Sequence, residues 1–209
     1  MKVLIACESS CRVRDAFAAL GHEAWSCDLI GAKGNHYQGD IFDLLAQDPE
    51  WDLMVAHPPC TFLCSSGLHW NGRVEGREAL TAEAIDFAER LWKLPIGKMA
   101  IENPMGCLST RSILGAPTQV IQPYNFGEDM SKTTWLWLRG LNCLENTKFV
   151  PPSRIINGKP RWANQTPAGQ DKTAPSDDRW RLRSETCLGI ADAMAKQWSL
   201  PEKQMKLAL

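Results

Sequence analysis

At 209 residues with 44% hydrophobic content, the chain is long enough for one full core and at most a small appended lobe, and we read one domain spanning 1–209. A charged fraction of 22% and a formal net charge of −1 exclude a globally basic field, so any nucleic-acid partner has to be met by a local patch. The opening MKVLIACESS has only about five apolar residues in a row before Glu8, too few for a signal peptide or a membrane span, so a cytoplasmic protein without membrane contact is expected. Eight cysteines without a secretory signal are expected as reduced thiols, mostly small core residues.

Lys2 to Cys7 reads as a continuous apolar strand, and Val13, Ala16, Phe17 and Leu20 then follow at the spacing of one helical face. Gly21 ends that helix, and His22 to Asp28 supplies a second strand closing on an acidic residue. Asp52 to Ala56 is another buried strand; Leu80, Ala84, Phe87, Ala88 and Leu91 form a helical stripe leading into a strand over Lys98 to Glu102. Strands alternating with helices predict an α/β fold with a mostly parallel, doubly wound sheet. Gln119 to Gln122 and Thr134 to Leu138, the latter followed by an Arg139-Gly140 turn, are expected as an antiparallel edge. From Pro151 to Arg183 periodicity gives way to Pro, Gly and Asn, which predicts loop or extended structure. That stretch holds seven Lys or Arg (Arg154, Lys159, Arg161, Lys172, Arg179, Arg181, Arg183) against three acids, which makes it the local basic patch. Ser184 is expected to cap a last helix whose Leu188, Ala191, Met194, Ala195 and Trp198 face the sheet, with fraying past Pro201.

Two strand ends carry the chemistry. Asp52-Leu-Met-Val-Ala-His-Pro-Pro-Cys60 is a strand that stops in two prolines, which stiffen the turn, remove backbone donors and present the following thiol in a fixed place. Ligands of open α/β sheets meet the carboxyl ends of strands, so Cys60 is a candidate nucleophile there. Lys98-Met-Ala-Ile-Glu102-Asn103-Pro104 brings a carboxylate to an equivalent position. A thiol and a carboxyl group on adjacent strand ends suit attack on an electron-poor heterocycle: the sulfur adds to carbon 6 of a pyrimidine while the carboxyl group neutralises charge at ring nitrogen 3.

In this order of motifs the chain resembles the DNA cytosine-5 methyltransferases, in their short, phage- and prophage-like form, through most of residues 1–140 and again from about 180 to 198. The resemblance implies a Rossmann-like class I methyltransferase fold and S-adenosylmethionine as cofactor. Ile5-Ala-Cys7-Glu8-Ser9-Ser10 stands where the family has its cofactor loop, Asp28 where an acidic residue holds the cofactor ribose, and Gly39-Asp40-Ile41 where the adenine is contacted. Pro58-Pro59-Cys60 matches the nucleophile motif and Glu102-Asn103 the glutamate motif. Pro58 is thereby counted with the cofactor residues and Asn103 with those that meet substrate. Ser131-Lys132-Thr133-Thr134 stands where the family has an arginine-bearing motif, with Lys132 in the arginine's place. The implied reaction is methylation of carbon 5 of cytosine in DNA through a covalent Cys60 adduct, as in phage or restriction-modification enzymes, with Arg161, Arg179 and Arg181 of the basic segment contacting phosphates. Two features depart from the family: residues 6–13 contain no glycine, and only about 45 residues separate Leu138 from Ser184, so 151–183 stands in place of a full target-recognition domain.

Other readings stay open. The same chemistry on a free cytosine nucleotide would explain the missing recognition domain, and a non-catalytic Rossmann remnant holding nucleic acid or protein would explain the missing glycines. An amino-group methyltransferase is disfavoured by His57 and Cys60, which replace the Asn or Asp and the aromatic residue of that class. His57, Cys60, Cys64 and His69 lack the paired spacing of a zinc site, so no metal is expected. Cys7 and Cys11 read as structural. Of Trp135 and Trp137 one is expected to face the core, while Trp70, Trp162 and Trp180 lie in polar stretches where they could pack or stack on bases.

Overall fold

The computed structural model describes residues 1–199, so the fraying expected past Pro201 lies outside the described residues. Along the chain the elements are β1 (Lys2–Ala6), α1 (Arg12–Ala19), β2 (Glu23–Asp28), β3 (His36–Gln38), α2 (Ile41–Gln47), β4 (Leu53–Ala56), α3 (Ser65–Leu68), α4 (Arg77–Trp92), β5 (Lys98–Asn103), α5 (Leu108–Arg111), β6 (Gln119–Ile121), β7 (Thr134–Arg139), β8 (Arg154–Ile156), β9 (Lys159–Arg161), α6 (Arg179–Ser184) and α7 (Leu188–Trp198).

Strands that are apolar on both faces have to lie between two layers of helices, and β1 and β4, whose residues from Val3 to Ala6 and Leu53 to Ala56 are all buried, form the middle of a seven-stranded sheet. Its order is β3-β2-β1-β4-β5-β7-β6; β1 to β5 are mutually parallel and β7 runs antiparallel to both β5 and β6. This is the Rossmann-like class I methyltransferase fold, a doubly wound sheet with an antiparallel edge. On one face α1 and α7 pack Val13, Phe17, Ile190, Met194 and Trp198 onto Val3, Ile5, Leu53 and Val55; on the other, α2 and α4 pack Ile41, Leu44, Ile85 and Leu91 onto Leu4, Met54, Met99 and Ile101. Each such fully buried side chain contributes on the order of 1.5–3 kcal/mol. The chain runs outward from β1 to β3 and then returns to the other side of β1 as β4, so the crevice at the carboxyl ends of β1 and β4 is the topological switch point where such folds bind ligands. Among the described residues no helix is long and apolar enough to cross a membrane.

Several local expectations are corrected. The inward stripe of α4 is Thr81, Ile85, Ala88 and Leu91, with Ala84 and Phe87 partly buried, while Leu80 is 42% exposed; the buried Thr81 hydroxyl is exchanged with Asn71, which lets a polar residue take the core position. Arg139 belongs to β7, and its guanidinium is drawn out of the expected turn by the carbonyls of Trp92, Leu94 and Ile96. The segment 151–183 is not loop throughout: β8 and β9 form a hairpin around Asn157-Gly158, and Arg179–Ser184 is helical. Ser184 does not cap α7, because it closes α6 and its hydroxyl donates to the Arg181 carbonyl; Cys187 takes the cap position, and Glu128 accepts from the Gly189 amide at 2.9 Å instead. Trp135 and Trp137 share a face, as residues two apart on a strand must, and both pack on the α2–α4 side.

The start of α7 touches the backbone after β6. A Cβ on Gly189 would stand 1.9 Å from the Phe126 carbonyl oxygen, so Gly189→Ala should destabilise the protein by about 1–3 kcal/mol. A lowered urea midpoint with unchanged slope is the expected result; an unchanged midpoint would show that α7 can shift without cost.

Candidate active site

The β4–β5 register pairs Ala56 with Ile101, and one more residue along each strand sets His57 beside Glu102. Their side chains meet at 3.3 Å between Nδ1 and Oε2, and at 10% and 17% exposure both are only slightly open to the cleft they line. Asn103, buried at the end of β5, donates from Nδ2 to the Pro58 carbonyl at 2.7 Å and so clamps the proline turn to the neighbouring strand. Beyond the prolines, Cys60 opens a single 3-10 turn, Cys60–Phe62, and Leu63 and Cys64 donate their amides back to the Cys60 carbonyl. The far side of this loop is fastened to the segment after β5: Cys107 donates to the Leu63 carbonyl, Ser65 to the Met105 carbonyl, and a Cβ on Gly106 would collide with the Leu63 carbonyl at 1.9 Å. Because β7 is antiparallel to β5, its leading residues Lys132 to Thr134 arrive at the same edge, and the Lys132 ammonium donates to the Glu185 carbonyl at 3.0 Å.

Electrostatics within this partly buried cluster are coupled. Burial alone would raise Glu102, but the hydrogen bond and charge of His57, the charge of Lys132 and the Thr134 hydroxyl hold its carboxyl below the usual range. Burial alone would lower His57, yet the hydrogen bond and charge of Glu102, with the more distant charge of Glu8, hold it above the usual histidine range against Lys132. The Cys60 thiol is pushed up by its hydrogen bond to Cys64, then by burial and by the charges of Cys64 and Glu102, with Lys132 opposing. Cys64 is pulled down to about 5 by the hydrogen bond from Cys60, against its burial, and further by the Ser66 hydroxyl and the Gly67 amide. The two thiols are thus pushed in opposite directions, Cys60 up and Cys64 down.

Two adjoining concavities divide the expected residues. The larger cleft, about 1010 Å³ and so near the upper end of the roughly 300–1,000 Å³ of ligand pockets, brings together Cys60, Glu102, Asn103, Pro58 and Lys132 with Cys7, Glu8, Ser9, Ser10 and Asp28. The smaller pocket shares Cys7, Asp28 and Pro59 with it and is walled by Asp40, Ile41, Phe62 and Phe87. The loop between β1 and α1 turns left-handed at Cys7 and Cys11, with φ of 59° and 61°, so two cysteines occupy positive-φ positions that L side chains rarely adopt. Glu8 braces this loop: its carboxylate accepts from the Val13 and Arg14 amides at the start of α1 and from the Ser10 hydroxyl. Asp28 accepts from the Ile30 amide, and Asp40 caps α2 by accepting from Phe42.

Of the three arginines expected to meet substrate, only Arg179 lines the cleft. Arg161 is turned back onto the Pro160 and Pro167 carbonyls, and Arg181 pairs with Asp178. Trp70 and Trp180 stand at the rim 46% and 58% exposed, whereas Trp162 is buried, stacked on Tyr124 with ring centroids 4.1 Å apart. Arg183 of the basic segment also lines the cleft, as do Arg12 and Arg77, which were not singled out by sequence; nor was any role given to His57, although its place before the two prolines was the available signal. Among the described residues no group of three His, Cys, Asp or Glu side chains is arranged to hold a metal ion.

Comparison with protein-family models and with curated proteins returns no match. Among solved structures, one described as a candidate DNA modification methyltransferase encoded within a prophage (E. coli) is similar over 72% of this chain and 52% of that one, at 11% identity and a TM-score of 0.45. The chain thus spans about half the length of that protein, and the functional reading is left to the site itself.

The opposed shifts of the two thiols make a direct chemical prediction. Iodoacetamide applied briefly at about pH 7, between the ordinary thiol range and the depressed one, should label Cys64 before Cys60 in the free protein, as located by peptide mass. Faster labelling at Cys60 would reverse the assignment of the thiolate.

Proposed function

We propose that the chain is a single catalytic domain that methylates carbon 5 of cytosine in DNA through a covalent Cys60 adduct, with S-adenosylmethionine as methyl donor. The observation that carries the reading is the clamped pair of strand ends, which presents the Cys60 thiol and the partly buried Glu102 carboxyl group to one cleft. The segment 151–183 takes the place of a target-recognition domain, contributing Arg179, Trp180 and Arg183 to the rim. There cations can meet phosphates and an exposed indole can stack on a base.

The residues of the smaller pocket fit the cofactor's chemistry. Ile41, Phe62 and Phe87 offer apolar walls for an adenine, and Asp28, whose bond to the Ile30 amide leaves acceptor capacity, can take the ribose hydroxyls. S-adenosylmethionine would supply an electrophilic methyl group; the remaining roles fall to the chain's own residues. Cys60 loses its proton to solvent in the open cleft, and its sulfur forms a bond to carbon 6. The ring electrons move toward carbon 5 and nitrogen 3, where Glu102 neutralises the developing charge and Lys132 adds a fixed positive field. Once carbon 5 carries the methyl group, a base removes its proton and the sulfur–carbon bond breaks. A base inside a duplex has to leave the stack before its carbon 6 is reachable.

Cys60→Ser should abolish turnover with cofactor affinity nearly unchanged, and substrate carrying 5-fluorocytosine should remain joined to the wild type on denaturing electrophoresis. Normal turnover by Cys60→Ser would remove Cys60 as nucleophile. Offering duplex DNA, single-stranded DNA and deoxycytidine nucleotides with labelled S-adenosylmethionine distinguishes the polymer from the free nucleotide. Asp28→Ala should weaken cofactor binding roughly tenfold to a hundredfold by calorimetry, the worth of a charge-assisted hydrogen bond.

A further inference from the structure

The covalent route needs a proton at ring nitrogen 3 as the sulfur adds, and Glu102 at rest is the wrong half of its pair to hold one. Its carboxyl group faces the imidazole of His57 at 3.3 Å, with the two side chains 17% and 10% exposed, so the imidazole is a proton donor in direct hydrogen-bond contact with it. The Nδ1 of His57 points at the carboxylate, while Nε2 is buried without a protein partner, so the ring has one hydrogen-bonded neighbour through which to give up a proton. The backbone fixes that aim: the His57 amide donates to the Ala6 carbonyl at 2.9 Å, and the next residue is held by Asn103.

We propose that His57 stores the proton that Glu102 passes to nitrogen 3 of the target cytosine, as a positioning residue acting through the carboxylate; this rests on the cytosine reading above. As the Cys60 sulfur bonds to carbon 6, the Nδ1–H bond of His57 breaks, the proton crosses the Glu102 carboxyl group, and an N–H bond forms at nitrogen 3. Glu102 ends as the carboxylate it began as, and His57 ends as a neutral imidazole protonated on Nε2. When the adduct resolves, the proton returns along the same path, so the pair is restored with no net proton consumed at this position. The charged groups facing His57 are Glu102 from β5, Glu8 from the loop before α1 and Lys132 from the loop before β7; two carboxylates against one ammonium favour the imidazolium, in keeping with the raised titration of the ring.

The sign of the pH dependence follows. Thiolate formation at Cys60 favours high pH, but the stored proton is lost as pH rises through the His57 titration, so adduct formation by the wild type should rise and then fall. His57→Gln keeps a hydrogen bond to Glu102 and cannot store a proton. It should trap 5-fluorocytosine DNA at least about tenfold more slowly than wild type near pH 6.5, converge with it at high pH, and keep its cofactor affinity. A His57→Gln profile parallel to wild type at every pH, or equal to it, overturns the proposal while leaving the covalent reading intact; absence of any adduct with the wild type overturns the covalent reading and the proton route with it. Should His57→Gln not fold, the imidazole can be followed by NMR in the intact protein, assigned by replacing His22, His36 and His69 in turn. Titration above the ordinary value of about 6.5, falling in Glu102→Gln, is expected, and titration below that value overturns the proposal.

Discussion

The site depends on one hydrogen bond between two strand ends. Asn103 donates to the Pro58 carbonyl from a buried position, and the proline turn has few backbone donors of its own with which to hold itself in place. Buried amide groups are costly when unpaired, on the order of 1–3 kcal/mol, so the contact is specified by what would be lost without it. With Pro58 held, the register of β4 on β5 carries His57 to Glu102, and the turn at Cys60 closes over the Gly106 backbone. A one-residue slip would send each of these side chains to the opposite face of the sheet.

That clamp gathers several partly buried titratable groups on one cleft wall, and their charges act on one another. Glu102 is met by His57, Cys64 and Cys60 are shifted in opposite directions, and Lys132 acts on both sets at once. As a point charge, Lys132 lacks the two-pronged geometry with which an arginine could hold a base and a carboxylate together. Its ammonium is instead fixed by the Glu185 carbonyl, and Glu185 is itself ion-paired to Arg12. Thus the positive field over the cleft is oriented by the approach to α7, not by the substrate-facing side of β7.

Much of this was legible in the sequence. The continuous apolar runs of β1, β4 and β5 marked the centre of a parallel sheet, and polar residues appearing abruptly at Cys60 and Glu102 marked its working edge. The strand β3 was not legible, because His36-Tyr37-Gln38 has no apolar run and is a strand only by pairing with Ser26 to Asp28. The inward phase of α4 was misread because Thr81 is polar and is made compatible with burial by Asn71, ten residues away in sequence. The cap of α7 was misplaced for the same kind of reason: Ser184 has the right chemistry, but Glu128 reaches the helix from a distant segment. Periodicity records what a residue prefers alone, and these three positions are set by partners.

The basic segment is the clearest case of composition and placement diverging. Its seven cations suggested a continuous phosphate-binding surface, yet Arg154 donates to the Trp162 and Gln165 carbonyls, Arg161 to those of Pro160 and Pro167, and Lys172 to that of Ala163. These side chains satisfy the carbonyls of a chain that forms only a short hairpin, work a regular sheet would do with its own amides. The segment is anchored to the β6–β7 side by Trp162 on Tyr124 and by Asn164 bridging both backbone groups of Ser131, next to Lys132. Only after that anchoring does α6 carry Arg179, Trp180 and Arg183 to the mouth of the cleft. A segment so short can build a wall but not a separate reading head. Its cations therefore divide between bracing that wall and lining it.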